Sequence, residues 1–165
     1  MSFSFASEDE HESVKYLYGN KVTTLGEIEK LTLVVAFDYL SVINTDFCFN
    51  NVKIEVSDFR KLFEFKKEIS KIKIKDFFDD SIIKKKYHFH SVDLYKKKFL
   101  INLMKPLLNY NQYLEVDKLP TIYQIGLYTN NTNMKAPRVL GFFGRNATFH
   151  ILWFDYEHKI YPSIK

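Results

Sequence analysis

The sequence predicts an α+β fold: helices in the first two-thirds, then an antiparallel sheet completed by a C-terminal β-hairpin. Three observations carry this. Apolar residues recur at helical spacing after Ser57 and again over Leu94–Met104. Arg138–Phe143 and Thr148–Phe154 read as strands joined by Gly144-Arg145-Asn146-Ala147, a segment with turn chemistry. Five Gly and four Pro in 165 residues leave most of the chain free to sit in regular elements.

The elements follow in order. Ser7-Glu8-Asp9-Glu10 has the form of a capping box, so a helix is expected to run to about Tyr18 and stop at Gly19-Asn20. Leu31–Ile43 is rich in β-branched and aromatic residues and reads as a strand. Asp46–Val56 reads as a second strand, broken at Asn50-Asn51. Ser57 then caps a helix whose apolar stripe is Phe59, Leu62, Phe63 and Ile69, with Arg60, Lys61, Lys66 and Lys67 facing away. A short helix is expected around Lys75–Lys84, and a strand over Tyr87–Val92 from its alternation. The helix at Leu94–Met104 should stop near Pro106, since proline lacks the amide donor. Thr121–Tyr128 follows as a strand, then a loop at Thr129–Asn133. In the last strand, Phe149, Ile151 and Trp153 alternate with Leu152 and Phe154, so both faces should be buried. Gly141 in its partner allows a bulge.

At this length the whole chain, 1–165, is expected to form one domain, with the acidic residues 1–30 as a peripheral helix. Composition excludes a wholly disordered chain, a collagen-like fibre and a disulfide scaffold. The lone Cys48 reads as a small buried hydrophobe. Met1–Glu12 is polar and unlike a signal peptide, and the longest apolar run, Leu31–Leu40, is too short for a bilayer. A cytoplasmic protein without a membrane partner is the expectation.

The net charge of +4 is unevenly spread: residues 53–98 hold 14 Lys and Arg against 8 Asp and Glu, while residues 1–52 are net acidic. That asymmetry suggests RNA or an acidic protein as partner. The Lys84-Lys85-Lys86 and Lys96-Lys97-Lys98 runs are the segments expected to track phosphates. The plainer reading is a well-solvated lysine surface.

Two clusters could carry chemistry. In His88-Phe89-His90, strand alternation sets both imidazoles on one face, about 7 Å apart. They are weak candidates for a metal, because no Cys or HExxH pattern supplies a third ligand; two solvent-facing polar residues is the alternative. The second cluster follows the last strand: Asp155, His158 and Tyr161. An antiparallel hairpin sets the start of its first strand beside the end of its second, so Arg138 should neighbour them. Arg138 would steady a pentavalent phosphate, His158 would move the proton, and Asp155 and Tyr161 would orient it. The alternative is an Arg138–Asp155 salt bridge that merely closes the hairpin. His150 reads as a hydrogen-bonded core histidine. No motif asks for a cofactor.

The pattern Arg138-Val-x-Gly-Phe…Phe149-x-Ile-x-Trp153-x-Asp155-x-x-His158-x-Ile-Tyr161-Pro162, with Tyr87-His-Phe-His90-Ser-Val-Asp93 before it, resembles the ending of a family of small uncharacterised microbial proteins. The resemblance covers the last half of the chain and implies no activity. More loosely, helices followed by a hairpin that begins in Arg and ends in a His/Tyr tail are similar to the RelE-type toxin ribonucleases. That similarity implies a basic face for RNA and metal-independent cleavage by Arg, Lys, His or Tyr. The chain departs from that class in its length, its acidic N-terminal half and its preference for Lys over Arg. A toxin-type ribonuclease is therefore one expectation. A non-enzymatic adaptor or inhibitor from a mobile element or defence system is the other, with exposed aromatics as its contact patch.

Overall fold

The computed structural model describes residues 15–18, 21–42, 46–107, 116, 119–129, 135–144 and 147–161. Its elements are β1 (Lys15–Tyr18), β2 (Lys21–Thr24), α1 (Leu25–Glu29), β3 (Val34–Ala36), α2 (Val56–Ile69), α3 (Ile74–Asp79), α4 (Ser81–Lys86), β4 (His90–Ser91), α5 (Lys98–Leu107), β5 (Tyr123–Gly126), β6 (Arg138–Phe143) and β7 (Thr148–Asp155). A five-stranded sheet has the order β3-β7-β6-β5-β4, and β1 and β2 form a separate antiparallel pair. The fold is α+β as expected. One pairing departs from an antiparallel sheet: β3 runs parallel to β7, with Val35 opposite Phe149.

The sheet separates two apolar clusters. On one face Leu62, Phe65 and Ile69 of α2 and Phe77 of α3 meet Ile125, Val139, Phe149, Ile151 and Phe154. On the other, Leu100 and Met104 of α5, with Phe47, meet Ile122, Leu140, Leu152 and Trp153. Among the described residues no helix is long and apolar enough to cross a membrane.

The C-terminal hairpin forms close to where its pattern predicts, but its faces do not alternate strictly. Leu140 lies opposite Trp153 and Gly141 opposite Ile151, so Leu152 is the extra residue of a β-bulge. Beyond it the phase slips. Phe149 and Ile151 share a cluster with Phe154, while Leu152 and Trp153 turn together to the other side. Gly141 permits this approach: a Cβ there would sit 2.1 Å from the carbonyl oxygen of His150. The slip matters for function, because it turns Trp153 and then Asp155 onto the face that carries Arg138.

Other expectations are corrected. Lys15–Tyr18 is a strand rather than the end of a helix, and the capping box before it lies outside the described residues. The strand expected over Leu31–Ile43 keeps only Val34–Ala36. A turn follows, with the Leu40 amide donating to the Phe37 carbonyl, and the chain then meets β7 through isolated bonds such as Ser41 to Leu152. The strand expected over Asp46–Val56 is turns up to Glu55, with Val56 opening α2: the Asn51 side chain accepts from the Lys53 amide, an Asx turn that competes with sheet pairing. Cys48 is buried. Helix α2 is capped at Glu55 rather than Ser57, and its buried stripe is Asp58, Leu62, Phe65 and Ile69, leaving Phe59 and Phe63 exposed. The helix expected over Lys75–Lys84 is split at Asp80, whose carboxylate accepts from the Ile82 and Ile83 amides and starts α4. Of the apolar residues in this stretch, Phe77 is buried and Ile82 is exposed. Only His90–Ser91 of the expected Tyr87–Val92 strand is in the sheet. Helix α5 starts later than expected and carries Pro106 in its last turn. The Thr121–Tyr128 strand shortens to Tyr123–Gly126.

Candidate anion site at the Arg138 pocket

Strand register assembles one side of the site. Arg138 of β6 lies opposite Asp155 of β7 and opposite Gly126 of β5. One step along the strands, Gln124 of β5 lies opposite His90 of β4. Because alternate residues share a face, these groups fall on the same side of the sheet. The Gly126 amide donates to the Tyr87 carbonyl at 2.6 Å, which draws the end of α4 and His88 against the strands. Gly126 is needed for this approach. A Cβ there would lie 3.1 to 3.2 Å from the Tyr87 oxygen, Arg138 Nη1 and His88 Cδ2.

The result is an open pocket of about 560 Å3, lined by Ser81, Lys84, Lys85, His88, Phe89, His90, Gln124, Arg138, His158 and Tyr161. Among the described residues no acidic side chain lines it. Lys84 and Lys85 have no carboxylate partner among the described residues. Arg138 is only 4% exposed, and its Nη1 donates to the carbonyls of Pro137 and Tyr128 at 3.0 and 3.3 Å. Its Nε is buried without a partner, as is Oε1 of Gln124. Orphaned buried polar atoms are uncommon in folded proteins, and these two belong to residues that line one pocket.

His158 owes its place to Asp155. The Asp155 oxygens accept from the Lys159 and Ile160 amides at 2.8 and 2.9 Å, forming the turn that carries His158. His158 sits at φ 57° and His88 at φ 46°, left-handed conformations that a residue with a Cβ adopts at a cost. Two strained histidines thus border the same pocket. Burial lowers the pKa of His158 from its ordinary value; the Arg138 charge lowers it further, then His88 and His90. His88 is lowered by partial burial, then by Arg138 and His90. Burial also pushes the Arg138 guanidinium down, opposed by Asp155. Asp155 itself is raised by burial, against its amide bonds and the neighbouring cations.

His90 plays another part. Its Nδ1 lies 2.9 Å from the Ser91 carbonyl, which can only accept, so Nδ1 carries the hydrogen. In the neutral ring Nε2 then accepts from Gln124 Nε2 at 3.1 Å. Both nitrogens of His90 are spent on the scaffold, so among the described residues His88 and His158 are the lining histidines whose ring nitrogens make no hydrogen bond.

The structure brings together Arg138, His158, Tyr161, His88, His90, Lys84 and Lys85 around one opening. It does not group all the candidates as the sequence suggests. Asp155 stands behind the pocket and orients His158 through the backbone rather than by touching the imidazole. It forms no ion pair with Arg138, so a salt bridge does not close the hairpin. Tyr161 packs edge-on against His90, with ring centroids 5.2 Å apart, rather than against His158. Lys86 turns to Glu68 at 3.1 Å and Lys96 to Asp93 at 3.5 Å. Lys97 lies over the Tyr161 ring at 4.6 Å, and Lys98 opens α5. His150 stacks on Phe142 near the start of β7, away from the pocket, and its Nδ1 makes no hydrogen bond. Among the described residues no group of three or more His, Cys, Asp or Glu could hold a metal ion. Sequence reasoning missed Gln124, Gly126 and Ser81. The lone glycine at the end of a strand pattern was the available signal of a close backbone approach.

Comparison with curated proteins and with solved structures yields no significant match. A family described as uncharacterised protein UU032 matches residues 37–165, a stretch that includes every residue of the pocket. The chain belongs to this family.

Proposed function

We propose that the protein is an RNA-binding ribonuclease of toxin type that cleaves a phosphodiester at the Arg138 pocket. One observation carries this reading: Lys84, Lys85, His88, Arg138 and His158 border one opening that no carboxylate lines. Such a site suits an anion with a developing extra charge. Arg138 offers a guanidinium fixed by the Pro137 and Tyr128 carbonyls. Two imidazoles supply the two proton transfers.

In the step proposed, a neutral imidazole takes the proton of the ribose 2′-hydroxyl. The 2′-oxygen bonds to phosphorus as the bond from phosphorus to the 5′-oxygen breaks. The other histidine, as imidazolium, gives its proton to that departing oxygen. The products are a 2′,3′-cyclic phosphate and a 5′-hydroxyl. Arg138 stabilises the pentavalent phosphate between them, and Asp155 positions His158.

End-labelled RNA incubated with purified protein tests this. Cleavage that persists in chelator and is lost in His158→Gln, His88→Gln and Arg138→Lys is expected, with each variant shown to be folded by circular dichroism. Equal cleavage by folded variants and wild type would refute it.

A second reading, a non-enzymatic adaptor or inhibitor, is favoured by a different feature. Leu31, Val34, Phe37, Tyr39 and Val42 are exposed along edge strand β3 and its continuation. Loss of partner capture on Val34→Ser and Val42→Ser, in a protein without nuclease activity, would favour it.

A further inference from the structure

A second depression adjoins the pocket. It measures about 520 Å3 and is lined by Ser81, Ile82, Lys85 and Lys86. Ser81 and Lys85 belong to both hollows, so the two are continuous along α4. The lining combines one apolar side chain with two cations and no acid. Ile82 is 76% exposed and contributes nothing to the core. The nearby Asp80 carboxylate is occupied by the Ile82 and Ile83 amides. Lys86 is held beside the hollow by Glu68, whereas Lys85 has no carboxylate partner among the described residues.

We propose that this hollow is a subsite for the neighbouring nucleotide of a single-stranded RNA, its base lying on Ile82 and its phosphate on Lys85. The proposal rests on the RNA reading of the Arg138 pocket and extends it: the preferred ligand is an oligonucleotide, not a mononucleotide. A flat base gains from covering an exposed aliphatic side chain, and a flanking lysine meets the phosphate. Isoleucine offers no hydrogen-bonding group, so this subsite accepts any base.

The test uses 2′-O-methyl oligonucleotides, which cannot supply the attacking hydroxyl, titrated into the full chain by fluorescence anisotropy. A trinucleotide should bind about tenfold tighter than a dinucleotide, the scale of covering most of one exposed aliphatic side chain. Ile82→Ser, at the surface and outside the Arg138 pocket, should erase most of that advantage while leaving dinucleotide affinity unchanged. Exchanging the third base should change binding less than twofold. If wild type binds both lengths equally, or if Ile82→Ser keeps the full advantage, the subsite is wrong and the pocket reading stands. If neither length binds, the pocket reading itself fails and takes the subsite with it.

Discussion

Two buried polar clusters meet at Tyr128, and they are built to opposite standards. Around Asp58 every demand is met. Its carboxylate accepts from the hydroxyls of Tyr128 and Tyr156, the latter at 2.6 Å, and from the Glu55 amide at 2.9 Å, with the Lys135 ammonium 3.9 Å away. Burial alone would raise its pKa, but the two phenols, the amide and the lysine outweigh this and hold it below the usual value. Around Arg138 the demands are not met: its charge disfavours the imidazolium forms of His158 and His88, Nε is orphaned and both histidines sit in strained backbone. The Tyr128 carbonyl, which accepts from Arg138, joins the two. A satisfied network fixes a fold, while an under-satisfied one lined by cations suits, as proposed for this pocket, an ion of the other sign.

The sharpest way to break this contrast is to delete each centre. Asp58→Ala strands two phenols and should cost about 3 kcal/mol in urea unfolding, because a buried charged acceptor is lost. Arg138→Met, by contrast, removes a partly unpaired buried cation and should change stability by about 1 kcal/mol or less, while weakening phosphate binding more than tenfold. Equal losses of stability would erase the distinction.

Acidity tests the same contrast. His88 and His158 have folded pKa values below the ordinary 6.5, so the unfolded chain binds their protons first. The stability they contribute is present above pH 6.5 and is lost as pH falls through their lowered values. Bound phosphate should reduce that loss, because it favours the imidazolium. Thermal unfolding at pH 5 to 7.5, with and without phosphate, reads this directly. The double variant His88→Gln, His158→Gln should flatten the phosphate-dependent part.

Gly126→Ala is the finest probe. The new Cβ presses on the Tyr87 carbonyl, Arg138 Nη1 and His88 Cδ2. It should cost about 1 kcal/mol of stability, within the range for overpacking. It should also weaken phosphate binding several-fold, and calorimetry at one pH would separate the two effects.

How far the sequence reveals these features depends on how local their causes are. The β6–β7 hairpin is legible because turn chemistry and alternation are both local, and Arg138 opposite Asp155 follows from them. The slip at Leu152 is not legible. Gly141 marks where a bulge is possible, but which strand takes the extra residue depends on how the two clusters fill. Tyr87–Val92 shows another limit: alternation suggests one strand face for His88 and His90, yet His88 reaches the pocket through a left-handed backbone next to the Tyr87–Gly126 bond. Asp155 was visible as a polar residue beside His158, but its action through the Lys159 and Ile160 amides is a matter of turn geometry. The long apolar run at Leu31–Ile43 misleads because its Phe and Tyr residues lie against other rings in a turn, Phe37 on Phe49 and Tyr39 on Phe142, rather than in a ladder.

If the Arg138 pocket binds phosphate beside His88 and His158, as proposed, the anion must move the titration of both rings. Following the histidine ring resonances by NMR across pH, with and without inorganic phosphate, tests it most directly. His88 and His158 should titrate below 6.5 in the free protein and shift upward with phosphate. Titration curves for His88 and His158 that phosphate does not move would contradict it.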